Sequence, residues 1–310
     1  MADYTKLIDA ETWAFIRKTA ESYPDDAVGL DIAGQRRVYD AMCREFYHGR
    51  PEAVAVEDTT ADDVPVRIYT VGEPTCTVIY AHGGGYVVGG LDSHDDVCAE
   101  ICDQTGYRVV AVDYRLSPEN PHPAAFDDCW AVTNWAEHRF EQPMVLAGDS
   151  AGGNLMACVA HYARGKLRNI IGQVLIYPGL GLGDKGASFA EHAEAPMLTR
   201  ADIEFYKTIR TGGEEPPTDD PTFAPLQDSD FTDLPRTVIF AAECDPLASD
   251  APAYAEKLRA ADVPVQVVVE PGLVHGYLRA RHMSSRAEAS FERIVLAIEA
   301  LGQGLWVYEE

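Results

Sequence analysis

Basic residues are scarce in this chain. Lysine and arginine together number 25 against 50 aspartates and glutamates, a formal charge of −25 over 310 residues, and only Lys6, Lys18, Lys166, Lys185, Lys207 and Lys257 are lysines. Nucleic acids and anionic bilayers are held by basic patches, so neither is an expected partner, and the surplus acid reads as a solvated surface that keeps the protein soluble. No run of roughly eighteen apolar residues occurs, which excludes a membrane-spanning helix. The first turns of the chain carry acids at Asp3, Asp9 and Glu11 and no apolar core, so a secretory signal is not expected and a cytoplasmic location is. The 7 cysteines form no Cys-x-x-Cys pair and no His/Cys cluster with metal spacing, so no metal site is expected. Cys98 and Cys102, one helical turn apart, read as core packing, and all the cysteines as reduced thiols.

What is present is an ordinary apolar fraction, 46%, arranged in a strict alternation. Residues 5–48 carry apolar positions at helical spacing, with a break near Pro24 and Gly29. Strands are predicted over 53–57, 64–71, 76–81, 107–113, 143–148, 170–177, 237–242 and 264–270. Helices are predicted over 93–105, 123–139, 151–163, 200–210, 249–261 and 284–301, with Pro123 suited to a first turn. Such alternation specifies an α/β fold, a mostly parallel sheet covered by helices on both faces, and the length suits one domain over 1–310. Two irregular parts, 1–50 and about 179–222, are too short to fold alone. They are expected to pack together as a lid at the carboxyl edge of the sheet, where open α/β sheets bind ligands.

The chemistry concentrates at predicted strand ends. Gly148-Asp149-Ser150-Ala151-Gly152 follows an apolar strand and opens a helix, the setting in which Gly-x-Ser-x-Gly holds a serine on a sharp turn with its hydroxyl exposed. A serine is a weak nucleophile and needs a base that is itself oriented by an acid. His275, just past the last strand, is the candidate base. His48, His94, His138, His161 and His282 lie in helical or solvated stretches, and His192 lies in the irregular region. Asp245 follows the preceding strand and is the candidate acid, while Glu243 reads as a structural acceptor. The order Ser150, Asp245, His275 is that of α/β-hydrolases. His82-Gly83-Gly84-Gly85-Tyr86 follows the third strand; the N–H groups of Gly83, Gly84 and Ala151 are the expected oxyanion donors. Tyr86, Tyr177 and Asp149 are expected near the substrate, Asp149 as a brace of the site or a cap of the following helix.

Together with Asp113-Tyr114-Arg115-Leu116-Ser117-Pro118-Glu119, Pro123-Ala124-Ala125-Phe126-Asp127-Asp128, Asp245-Pro246-Leu247 and His275-Gly276, these motifs resemble the hormone-sensitive-lipase-like esterases of the α/β-hydrolase fold. The similarity covers roughly 53–300. It implies an eight-stranded sheet, a two-part helical cap, and hydrolysis of short acyl carboxylic esters without a cofactor. It also implies structural roles for His82, Asp113 and Arg115, and a homodimer joined through 264–301. Relatives on this scaffold include arylformamidases, amidases and lactonases, which form the alternative reading.

Overall fold

Four central strands are apolar almost throughout because both of their faces are covered. They are β3 (Thr77–Ala81), β4 (Arg108–Val112), β5 (Met144–Asp149) and β6 (Ile170–Ile176). In the computed structural model, which describes residues 2–24 and 30–309, they lie within an 8-stranded sheet. The order is β1-β2-β4-β3-β5-β6-β7-β8, with β1 (Ala55–Ala61), β2 (Val64–Thr70), β7 (Arg236–Cys244) and β8 (Val265–Val274) completing it. Only β2 runs against the others: it pairs antiparallel with β1 and β4, and every remaining pair is parallel. The β1–β2 turn is made by Asp62 and Asp63, both left-handed at φ 46 and 68, a two-residue hairpin geometry that aspartate tolerates.

Period-two alternation divides the core. Val78 and Tyr80 face a layer built from α4 (Asp95–Thr105) and α10 (Ser285–Gly302), while Ile79 and Ala81 face α5 (Ala124–Phe140), α6 (Ala151–Ala163) and α9 (Asp250–Ala260). At the N-terminus, α1 (Tyr4–Leu7), α2 (Ala10–Glu21) and α3 (Ile32–Glu45) join the first layer, with Phe15 edge-on to Phe46 at 5.3 Å. Asp9 and Asp31 cap α2 and α3 by accepting the amides of Thr12 and Gly34. The expected break near Pro24 falls between α2 and α3; Gly29 lies outside the described residues. Two further helices, α7 (Ala187–Glu191) and α8 (Arg200–Arg210), occupy the irregular region. Thr199 and Asp202 close a capping box at the start of α8.

The differences from the sequence reading have local causes. β1 sits at Ala55–Ala61 rather than 53–57, because an exposed edge strand rich in Thr and Asp carries little apolar signal. β8 runs to Val274, beyond the expected end at 270. Between Glu270 and Val274 it advances four residues while β7 advances two, so Pro271-Gly272 forms a bulge inside the strand where the sequence reads as a turn. Pro123 stands just before α5 as its cap, and the short α7 has too few turns to leave a periodic signal. All the cysteines are buried and free. Among the described residues no helix is long and apolar enough to cross a membrane.

Candidate active site

Ser150 sits between β5 and α6 at φ 53, ψ −117, a backbone conformation that side chains rarely adopt. The flanking glycines allow the turn to close. A Cβ on Gly152 would lie 1.9 Å from the Ala81 carbonyl oxygen, and one on Gly148 would lie 2.6 Å from the Gly152 backbone. Both obstacles are main chain and cannot rotate away. Gly152→Ala is therefore expected to lower the free energy of unfolding by at least about 3 kcal/mol, read from urea titration. A loss below about 1 kcal/mol would contradict this packing of α6 against the end of β3.

The structure brings Ser150, His275 and Asp245 together. Nε2 of His275 is 2.8 Å from Ser150 Oγ, and Nδ1 is 2.6 Å from Asp245 Oδ2. A carboxylate oxygen accepts, so Nδ1 carries the proton and Nε2 is left as the acceptor for the serine hydroxyl. Asp245 is 1% exposed, and its other oxygen accepts the Leu247 amide at 2.9 Å, which fixes the carboxyl plane. Glu243 takes the Gly272 amide at 2.6 Å and clasps the bulge that precedes His275.

The glycine loop differs from expectation at one position. The Gly83 N–H is not offered to the cavity: it donates to Asp149 Oδ1 at 2.9 Å, and a Cβ there would lie 2.3 Å from Asp149 Oδ2. Gly84 and Gly85 border the cavity instead, as does Ala151. Among the described residues no protein acceptor engages the N–H groups of these three.

Asp149 borders the cavity, but its carboxyl oxygens are taken, which corrects the expectation of a substrate contact. Besides Gly83 it accepts the Tyr80 hydroxyl at 2.9 Å and the Tyr177 hydroxyl at 3.4 Å, and His94 Nε2 lies 3.2 Å away. Burial opposes its charge, yet His94, the Arg279 guanidinium and the Tyr80 hydroxyl hold it well below the usual carboxylate range. It braces the loop and does not cap α6, whose cap position is Ser150. His94, read from sequence as helical or solvated, is 4% exposed and belongs to this brace. Tyr177 turns its hydroxyl to Asp149 and presents its ring to His275 at 4.9 Å, so it meets the cavity as an apolar wall. Tyr86 borders the cavity with its hydroxyl accepting from Arg210 Nη1 at 2.9 Å.

His82 lies under the loop. Nδ1 faces the Gly83 carbonyl at 2.7 Å, so it carries the proton, and Nε2 is buried with no partner. Burial pushes this imidazole down to about 4. Burial also pushes His161 down to about 4, despite Asp228 at 2.7 Å. A histidine whose pKa falls on folding contributes stability that is full above about pH 6.5 and lost as pH falls toward the folded value. Each contributes on the order of 3 kcal/mol. Asp250, raised by burial to about 7, acts in the opposite direction. At that value its Oδ2 already accepts the amides of Leu180, Gly181 and Leu182, and the two histidines together are displaced further than this one carboxyl, so they dominate. Urea unfolding across this range is expected to show stability falling on acidification; a level or rising profile would contradict it.

The cavity over Ser150 has a volume of about 830 Å³. Thr19, Tyr39 and Met42 line it from the N-terminal helices, Tyr23 from just past the end of α2, and Leu182, Met197, Tyr206 and Arg210 from the irregular region. Arg210 and Arg279 carried no signal in the sequence, since neither lies in a motif.

Residues 78–279 match the family described as alpha/beta hydrolase fold, and the chain belongs to that family. It is 38% identical over 258 residues to carboxylesterase NlhH of Mycobacterium tuberculosis, covering 78% of this chain and 77% of that protein. It is 33% identical to an ethyl acetate hydrolase of Pseudomonas putida, across 98% of each chain. Its fold superposes with a TM-score of 0.86 on a crystal structure of an esterase from the bacterial hormone-sensitive lipase family, at 24% identity and over 97% and 99% of the two chains. The fold and enzyme class expected from the sequence are borne out: this is an α/β hydrolase and, with its carboxylesterase relatives, a carboxylic ester hydrolase.

Proposed function

We propose that the chain hydrolyses short acyl esters through a covalent acyl-enzyme formed on Ser150. Ser150 Oγ attacks the ester carbonyl carbon while His275 Nε2 takes its proton. Asp245 keeps the imidazole in the Nδ1–H tautomer and stabilises the imidazolium that forms. The oxyanion is received by the N–H groups of Gly84, Gly85 and Ala151. His275 returns the proton to the leaving alcohol, then activates the water that releases the acid. Segments 1–50 and about 179–222 serve as the cap that separates this chemistry from bulk solvent.

The observation that carries the reading is the continuous hydrogen-bonded line Asp245–His275–Ser150, ending beside unengaged amides. Short acyl groups are favoured because relatives across nearly the whole chain are named for small esters, an ethyl acetate hydrolase and an acetyl esterase of Salmonella typhi. A p-nitrophenyl ester series from acetate to decanoate is the test. kcat/KM should fall as the acyl chain lengthens beyond butyrate. A maximum at decanoate, or faster turnover of N-formylkynurenine, a simple amide or a lactone, would overturn this substrate class.

A further inference from the structure

Two arginines border the cavity, and their donors are used differently. Arg210, at the end of α8, is committed. Nη1 reaches Tyr86 Oη at 2.9 Å and the Phe223 carbonyl at 3.3 Å, and Nη2 reaches Asn154 Oδ1 at 3.1 Å. Its guanidinium is also held 3.9 and 4.0 Å from the ring centroids of Tyr86 and Phe223.

Arg279 is only partly committed: its guanidinium lies 4.9 Å from the ring centroid of Tyr39. It lies on the 3₁₀ turn Tyr277–Ala280 that follows His275, and it borders the same cavity. Nη2 donates to the Tyr39 hydroxyl, but Nε is buried with no hydrogen-bond partner. Among the described residues no acceptor engages Nη1 and no carboxylate lies within ion-pair distance. A Cβ on Gly276 would lie 3.3 Å from Nη1, which puts that nitrogen against the backbone next to the base. Its field reaches Asp149, but that carboxyl is already occupied by Gly83, Tyr80 and Tyr177. Asp149 answers this cation only through space, so the guanidinium keeps donors with no direct carboxylate partner, although the chain has 50 acidic residues from which one could have been drawn. The guanidinium fork matches a carboxylate in geometry as well as charge.

We propose that Arg279 anchors a carboxylate of the substrate, so that the preferred esters carry a free carboxylate away from the scissile bond. The class comprises half-esters of dicarboxylic acids and acyl esters of hydroxy acids. This rests on the reading of Ser150 as nucleophile. The anchor stands beside His275, so a bound carboxylate is positioned relative to the reacting atoms and affects kcat/KM through orientation as well as affinity.

Matched pairs differing only in carboxylate against carboxamide test it. One pair is the mono-p-nitrophenyl ester of adipic acid with that of adipamic acid, with the charge on the acyl side. The other is para-acetoxybenzoate with para-acetoxybenzamide, with the charge on the alcohol side. The wild type should favour the carboxylate member of at least one pair, and Arg279→Met should cut that ratio about ten- to a hundredfold, with part restored by Arg279→Lys. A wild-type ratio at or below one in both pairs would overturn the anchor. So would an equal decline of both members in Arg279→Met, which would assign Arg279 to supporting Asp149. A measurement without variants guards against misfolding: adipate should compete with neutral-ester turnover by the wild type more strongly than adipamide, and equal inhibition counts against the anchor. Ser150→Ala is assayed beside them. Turnover lost there with no carboxylate preference overturns the anchor alone, and turnover retained there overturns the nucleophile.

Discussion

Ser150→Ala is expected to lower kcat toward short p-nitrophenyl esters by about a million-fold, the loss seen when a serine–histidine–acid unit loses its nucleophile. The substitution removes one oxygen from a turn whose other features survive. The Ser150 amide still donates to the Ile176 carbonyl at 2.8 Å, and alanine meets the same φ of 53. Residual turnover should then come from binding and from the amides of Gly84, Gly85 and Ala151 acting on water attack. The rate should fall without a large change in thermal stability, so the loss is chemical and not a loss of fold. A variant that keeps more than a few per cent of wild-type kcat would end the assignment of Ser150.

Asp245→Asn should lower kcat by about ten-thousandfold while the chain remains folded. In the wild type Asp245 Oδ2 accepts from His275 Nδ1 at 2.6 Å, so the lone pair at Nε2 faces Ser150 Oγ at 2.8 Å. An asparagine amide offers an N–H in place of that acceptor and selects the opposite tautomer. Nε2 then carries a proton and cannot take one from the serine. The Leu247 amide can still bond to the remaining carbonyl oxygen, so the loop keeps its shape. Steady-state kinetics with a melting curve of the same sample checks this. A rate within tenfold of wild type would mean that another group orients His275.

Much of this was readable along the chain, because strand ends and sharp turns leave local marks. Ser150 stands between glycines whose missing side chains are demanded by backbone a few ångströms away, at Ala81 and Gly152. Asp245 and His275 each follow an apolar strand, and parallel pairing of neighbouring strands brings such ends to one edge. What was not readable depends on contacts between distant segments. Nothing local shows that Asp149 captures the Gly83 amide across 66 residues, which shifts the unengaged amides to Gly84 and Gly85. The brace made by His94, Tyr80 and Tyr177 is hidden for the same reason: three strand or loop ends meet only once the sheet is formed. Pro271-Gly272 reads as a turn, and only the register against β7 reveals a bulge within a strand. Arg279 looks like any loop arginine until the fold buries its Nε without a partner.

Covalent capture decides whether Ser150 is the reacting nucleophile. The intact chain is treated with a fluorophosphonate, digested, and the modified peptide identified by mass spectrometry. A single adduct on Ser150 is expected, formed rapidly by the wild type, slowly by Asp245→Asn, and absent from Ser150→Ala. An adduct on another serine, or equal labelling of Ser150 in the wild type and in Asp245→Asn, would contradict it.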